Sequence, residues 1–517
     1  MLKFINMAGD VVVELHPDTF SGSNSLVGEV TERLSKILNF SSFGIKLVSS
    51  GIVLADQQSW HELGKPQEIQ LVTLPLVTHC ERDLLAAVRR EDVCKVEKIL
   101  QKPHDAACTY PDGTPMLCEA SRKGNHEIVK LLHRALADIN STGRNGRTAL
   151  YEAVAAYNLA HGHFEVVHFL LDAGANTDQP DWLGNTPLHA AVSGGGRYST
   201  EVVRLLLKAS ADMDQPNSQG VTPLRAAARW GHVEDVSALL DAHADPNKAD
   251  ASQGTPLLAA VQRGNARMVR LLVEKRAQVD QGQQHEAPLL AAIHSQHVDI
   301  ARCLADAQAD VQRTSSDGMT PLHAAAAQGH LPMVEFLVKA KASADVNKAD
   351  ATGDTPLLSS IWLGFSEVVR FLIECRADAD VADKSNNTPL HAAATQGDVA
   401  IVGALLQARA DPDRCNDDGE TALFTAVWSD HLEAVQQLLK AGADMHVLDG
   451  RGSSVAHIAA RLGRAALVNA LLEAGADMQR LDSQGATPVQ EAEAGGHQEV
   501  LDLLSDRTDA REAASCL

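Results

Sequence analysis

The side chains best able to do chemistry in this 517-residue chain are its 22 histidines and eight cysteines. Their spacing decides whether they build a metal site, a nucleophile or a redox pair. Cys80, Cys94, Cys108, Cys118, Cys303, Cys375, Cys415 and Cys516 are scattered with no C-x-x-C pair, which argues against both a zinc site and a disulfide framework. His161 and His163 would suit a metal ion, yet His163 follows a glycine at the start of a helical stripe, as His232 and His330 do, so a structural role accounts for it. His189, His323, His391 and His457 each stand three residues after a threonine or serine, in a turn where imidazole can bridge backbone groups. No Walker loop, Gly-x-Ser-x-Gly elbow or H-E-x-x-H helix occurs. The Gly194–Gly196 run lies between two helices, not between strand and helix, and is weak evidence for a phosphate loop. No enzyme activity, metal or cofactor is expected.

The elements that position these histidines follow from a repeat. Thr-Pro-Leu or a close relative recurs at Thr114, Thr148, Thr186, Thr222, Thr255, Ala287, Thr320, Thr355, Thr388, Thr421, Ser454 and Thr487, most often 33 residues apart. In the Thr222 unit, the threonine can cap a helix and Pro223 can occupy its first position, where no backbone donor is needed. Ala226, Ala227 and Ala228 allow close helix packing, and Gly231 can end the helix with a left-handed residue. Val233, Val236, Leu239 and Leu240 then form the stripe of a second helix. Such a unit cannot bury its apolar face alone, so it must stack on neighbours.

A 33-residue period carrying T-P-L-H, as at Thr186–His189, Thr320–His323 and Thr388–His391, resembles the ankyrin family. The resemblance implies thirteen repeats within 76–505, a first capping repeat at about 80–108 without the turn, a last repeat at about 483–505, and a tail at 506–517. The expected fold is mainly α, an ankyrin-repeat helical solenoid. Residues 1–75 lack the period. Val11, Val13 and Leu15 alternate as in a strand, Leu26, Val30, Leu34 and Ile37 line one side of a helix, and Ile45–Val48 and Ile69–Leu74 read as strands around a turn at Gly51. Ile45–Asp56 with Ile69–Leu74 is similar to ubiquitin, which implies a small α+β ubiquitin-like (β-grasp) domain. Val48 and Val72, with Met7 or Ala8 nearby, match ubiquitin's apolar patch.

The ankyrin resemblance also implies where another protein would bind: at the hairpin tips just before each threonine and the helix end seven or eight residues after it. Tyr110, Trp182, Leu183, Trp230, Trp362, Leu363 and Trp428 fall there, and aromatic side chains dominate binding hot spots. Arg122, Lys123, Arg144, Arg147, Arg229 and Arg263 cluster toward the N-terminal repeats, and Asp417, Asp418 and Glu420 toward the C-terminal ones. Two subsites are expected. One over the Thr114 to Thr255 repeats would take an acidic segment with apolar anchors; one around Trp362 and Trp428 would take an apolar segment with basic flanks. Insertions bearing Tyr157, Leu159, His161, Arg197 and Tyr198 form an expected knob.

A net charge of −22 disfavours nucleic acid or an anionic membrane as partner. No apolar run approaches the ~20 residues that span a bilayer, and no secretory pattern opens the chain, so an intracellular, cytoplasmic or nuclear, location is expected. The expected function is a non-catalytic scaffold or adaptor for other proteins. The alternative is a substrate receptor or adaptor in a ubiquitin or proteasome pathway, recruiting receptors through residues 1–75.

Overall fold

The computed structural model describes residues 2–5, 11–15, 34, 45–49, 52–53, 68–73, 81–100, 109–143, 145–156, 161–194, 199–282, 287–339 and 345–505. They divide into two compact units, Met1–Ala259 with Glu274–Arg276, and Ala260–Val273 with Ala277–Leu517.

The first unit opens with strands β1 (Leu2–Ile5), β2 (Val11–Leu15), β3 (Ile45–Ser49), β4 (Ile52–Val53) and β5 (Glu68–Thr73). They form one sheet in the order β2-β1-β5-β3-β4. β1 is antiparallel to β2 and parallel to β5, and β3 is antiparallel to both β4 and β5. The β-β-α-β-β order expected from the sequence assigns no residues to its first strand, which is β1, and leaves out β4, a strand of two residues. Of the helix expected over Leu26–Ile37 only Leu34 is described, and it is helical and fully buried. Val48 stands opposite Gln70, and Val72 opposite Lys46, in the β3/β5 ladder. Met7 and Ala8 lie outside the described residues.

Thirteen helix pairs follow among the described residues, from Glu81–Arg89 with Val93–Leu100 to Pro488–Gly495 with 498–505. In the Thr222 unit, Thr222 caps Pro223–Trp230 by accepting the Arg225 amide, Pro223 opens the helix, and Gly231 closes it at φ 87°. The cap contributes about 1 kcal/mol. Leu224, Ala227, Ala228, Val236 and Leu239 are fully buried. Because alanines line the contact, the helices pack closely without large side chains between them.

Two ladders tie consecutive repeats of the first unit together. At the hairpin tips, backbone amides of Trp182, Ser218 and Ala251 donate to the carbonyls of Asn145, Leu183 and Gln219. In the turn after each second helix, amides of Asn176, Asp212 and Asp245 donate to the side chains of Asn140, Asp178 and Asp214. An acceptor side chain is needed at every such turn, which explains part of the acidic excess.

The insertions differ from expectation in one respect. The helix after the first spans His161–Asp172, twelve residues against nine in most repeats, so the added sequence extends the helix and places His163 inside it instead of at its start. Tyr157, Leu159, Arg197 and Tyr198, and the side chain of His161, lie outside the described residues.

In the second unit the turn histidines act as straps. His323 and His391 accept the Thr320 and Thr388 amides at Nδ1, and their Nε2 groups donate to the carbonyls of Asp354 and Glu420, each 2.9 Å away in the next repeat. His189 does the same between Thr186 and the Val221 carbonyl in the first unit. An imidazole that donates at one nitrogen and accepts at the other must be neutral. Burial lowers the pKa of all three, against partial opposition from the carbonyl bonds and nearby aspartates. A second strap joins helix ends: Nε2 of His431 and His497 donates to the Thr395 and Arg461 carbonyls. The His431 ring lies against Gly397, where a Cβ would approach it to 2.4 Å.

Two predictions follow from these straps. A histidine with a lowered folded pKa stabilises the fold fully above its unfolded pKa of about 6.5, and that stability is lost as pH falls through this value. The urea midpoint should therefore drop between pH 7.5 and 6.0. Replacing His189, His323 and His391 with Gln, the residue that holds this place at position 490, should lower the midpoint at pH 7.5 and flatten the slope; an unchanged slope contradicts the neutral strap. Gly442→Ala (φ 92°, open space) should cost about 1 kcal/mol, and Gly397→Ala (φ 70°, against His431) about 2 kcal/mol or more. Equal losses in denaturation would remove the ring contact from the account.

Candidate protein-interaction surface

In the first unit, the Thr148, Thr186 and Thr222 repeats enclose an open groove of about 530 Å³. One wall is the Thr186 hairpin tip, held by Asp181, whose carboxylate accepts the Leu183 and Asn185 amides and so directs the Leu183 side chain outward. The other is the end of the Pro223–Trp230 helix, carrying Arg229 and Trp230; the floor is Tyr151, His189, Ala190 and Ala226. Leu183 is 64% exposed, Trp230 52% and Trp182 71%. Trp182 stands over the neighbouring tip, where a Cβ on Gly146 would meet its ring at 2.8 Å. Tyr151 holds the floor by donating to Asp181 at 2.9 Å, and burial with the adjacent carboxylate drives its pKa up.

The other expected residues of this subsite are placed differently. Tyr110 is buried, donates to the Leu85 carbonyl at 3.0 Å and lies under Arg89. Burial raises its pKa to about 12. It shares the tip register of Trp182, but the first helix pair offers it a carbonyl and a guanidinium to pack on, so it seals the array instead of facing a ligand. Arg122 makes a bidentate pair with Glu119, and Lys123 bonds Glu91 at 3.0 Å. Arg147 lies over Tyr151 with Glu152 and Asp181 within 3.9 Å. These three cations are matched by the chain's own carboxylates. Arg144 lies outside the described residues, and Arg263 is exposed and belongs to the second unit. Among the described residues of the first unit the basic face therefore contracts to Arg229, which makes no hydrogen bond or ion pair with any of them.

A polar cavity of about 480 Å³ lies among Arg89, Cys118, Glu119, Arg122 and Glu152. Burial pushes the Cys118 thiol up to about 12 and raises the Glu152 carboxyl against the pull of Arg147 and Arg122. A thiol so shifted is a poor nucleophile near neutrality.

In the second unit Leu363 is 54% exposed and Trp428 39%, while Trp362 is half-buried. Leu363 lies eight residues after its threonine, as Trp230 does, and Trp362 lies seven after, as Trp428 and Arg229 do. Trp428 donates to Glu420 at 3.0 Å and lies under Arg461. Burial and the charges of Asp418 and Asp449 raise the Glu420 pKa, against the Trp428 bond. Asp417 accepts from Asn386. His163 uses Nε2 on the Arg122 carbonyl, and the described residues contain no group of three His, Cys, Asp or Glu able to hold a metal ion. No described helix is long and apolar enough to cross a membrane.

The model of the family described as "Ankyrin repeats (3 copies)" matches residues 84–181, 154–250, 243–315, 307–384, 363–449 and 434–513. This chain is an ankyrin-repeat protein. Over 80 residues it is 45% identical to the E3 ubiquitin-protein ligase XBAT33 of Arabidopsis thaliana, covering 15% of each chain. Over 111 residues it is 32% identical to diacylglycerol kinase zeta of Rattus norvegicus, covering 21% of this chain and 11% of that one. It thus spans only a small part of these curated relatives. A similar solved structure is the ankyrin repeat domain of Bcl-3, with TM-score 0.40 and 25% identity, covering 42% of this chain and 98% of that one.

Within the ankyrin array, Tyr151, Ser193, Asn217 and Gln219 also line the groove, and the sequence reading does not single them out. Tyr151 carried a usable signal, an aromatic at the position histidine takes in T-P-L-H. The burial contrast predicts that Tyr110→Ala lowers stability by about 3 kcal/mol, whereas Trp230→Ala, with its side chain 52% exposed, lowers it by no more than about 1 kcal/mol. Urea denaturation checks both, and a large loss for Trp230→Ala would show that its ring supports the fold.

Proposed function

We propose that this ankyrin-repeat protein is a non-catalytic scaffold or adaptor that holds a partner protein against its hairpin tips and first-helix ends. The observation that carries the reading is the groove between Leu183 and Trp230: large apolar side chains exposed on repeats whose interiors are otherwise sealed. Solvated tryptophan and leucine contribute little to folding and much to binding when a partner covers them. The likeness to an E3 ligase and a lipid kinase concerns short segments, so no ubiquitin transfer or phosphorylation is assigned to this chain. A cytoplasmic or nuclear location is part of the proposal.

A second reading is favoured by the N-terminal sheet. Its order β2-β1-β5-β3-β4 with β1 parallel to β5 suits a ubiquitin-like domain, which would recruit ubiquitin-pathway receptors through Val48 and Val72, two positions apart along the β3/β5 ladder.

Affinity purification of the full chain, the Trp182→Ala/Trp230→Ala variant and the Val48→Asp/Val72→Asp variant tests both readings. The tryptophan variant should lose the partners of the repeats, and the valine variant only ubiquitin-binding proteins. Partners retained by the tryptophan variant would overturn the first reading, and an unaltered profile of the valine variant the second.

A further inference from the structure

The groove's chemistry narrows what fits it. In a protein of net charge −22, the groove's lining among the described residues contains no carboxylate and one cation, Arg229. Nearby Arg225 is committed to Asp250 at 2.6 Å and to the Gly254 carbonyl, so among the described lining residues the available charge is that of Arg229. It stands beside Trp230, and a carboxylate there would gain a charge-assisted bond next to an apolar wall.

The backbone limits the form of the ligand. An extended peptide binding by strand addition needs an open row of N–H and C=O groups. Here the Leu183 carbonyl already accepts both the amide and the hydroxyl of Ser218, and the Trp182 amide is spent on Asn145. A helix satisfies its own backbone and needs only side-chain sites. Adjacent helices pack about 8–10 Å apart, so three repeats offer roughly 16–20 Å, the length of about eleven to thirteen helical residues.

Building on the scaffold reading above, we infer that this groove takes one face of an amphipathic α-helix of a partner protein. A large apolar side chain sits between Leu183 and Trp230, and an Asp or Glu one turn away pairs with Arg229.

Display selection on the full chain tests this, with two libraries as probes: a helical-hairpin scaffold randomised on one face, and unstructured twelve-residue peptides in a Gly-Ser frame. Binders should come from the helical library, carrying Asp or Glu three or four residues from an aromatic or large aliphatic residue. Their affinity should fall at least tenfold on Trp230→Ala and on Arg229→Glu, and an acid-to-Lys change in the binder should restore affinity for the Arg229→Glu chain. That charge swap separates pairing from a folding defect. Binders from the unstructured library alone, or binders indifferent to both substitutions, overturn the helix assignment and leave the scaffold reading standing. No binder from either library, together with lysate partners retained by the Trp182→Ala/Trp230→Ala variant, overturns both.

Discussion

In five of the repeats one directional bond sets the array's register: the side chain at the third helical position reaches the carbonyl just before the next repeat's cap. His189, His323, His391 and His457 make it to Val221, Asp354, Glu420 and Ala486, and Arg225 makes it to Gly254. The bond ties the start of one helix pair to the hairpin of the next, and where the bridging side chain is histidine its Nδ1 accepts the amide of the threonine or serine cap, which holds it in place. Hydrophobic burial between alanine-lined helices supplies most of the stability, but it is non-directional. Where it occurs, the strap fixes register and with it the place of the hairpin tip that follows.

Once register is fixed, the tips are close enough to satisfy one another, and this determines how the surface can be used. Tip amides and carbonyls are consumed within the array, and most cations near the groove are neutralised by neighbouring carboxylates. What remains for a ligand is side-chain chemistry at a few places, above all Leu183, Trp230 and Arg229.

Much of this was legible in the sequence because each repeat residue has a local cause. Thr222, Pro223 and Gly231 do what a cap, a first helical residue and a left-handed residue must do. Exposure of Trp182, Leu183 and Trp230 was also legible, since position within the repeat sets which way a side chain points. Pairing between repeats was not. The Arg122–Glu119 pair follows from i,i+3 helical spacing, but nothing in the linear order shows that Lys123 reaches back 32 residues to Glu91, or that Tyr110 finds the Leu85 carbonyl. Charge counts along the chain therefore overstated the basic face.

The central claim is that a partner covers the groove between the Thr186 tip and the end of the Thr222 helix. Hydroxyl-radical footprinting of the full chain, free and with a partner co-purified from its native extract, tests it most directly. The account predicts that oxidation of Leu183 and Trp230 slows several-fold in the complex. Equal oxidation of both residues in the free and bound protein would contradict it.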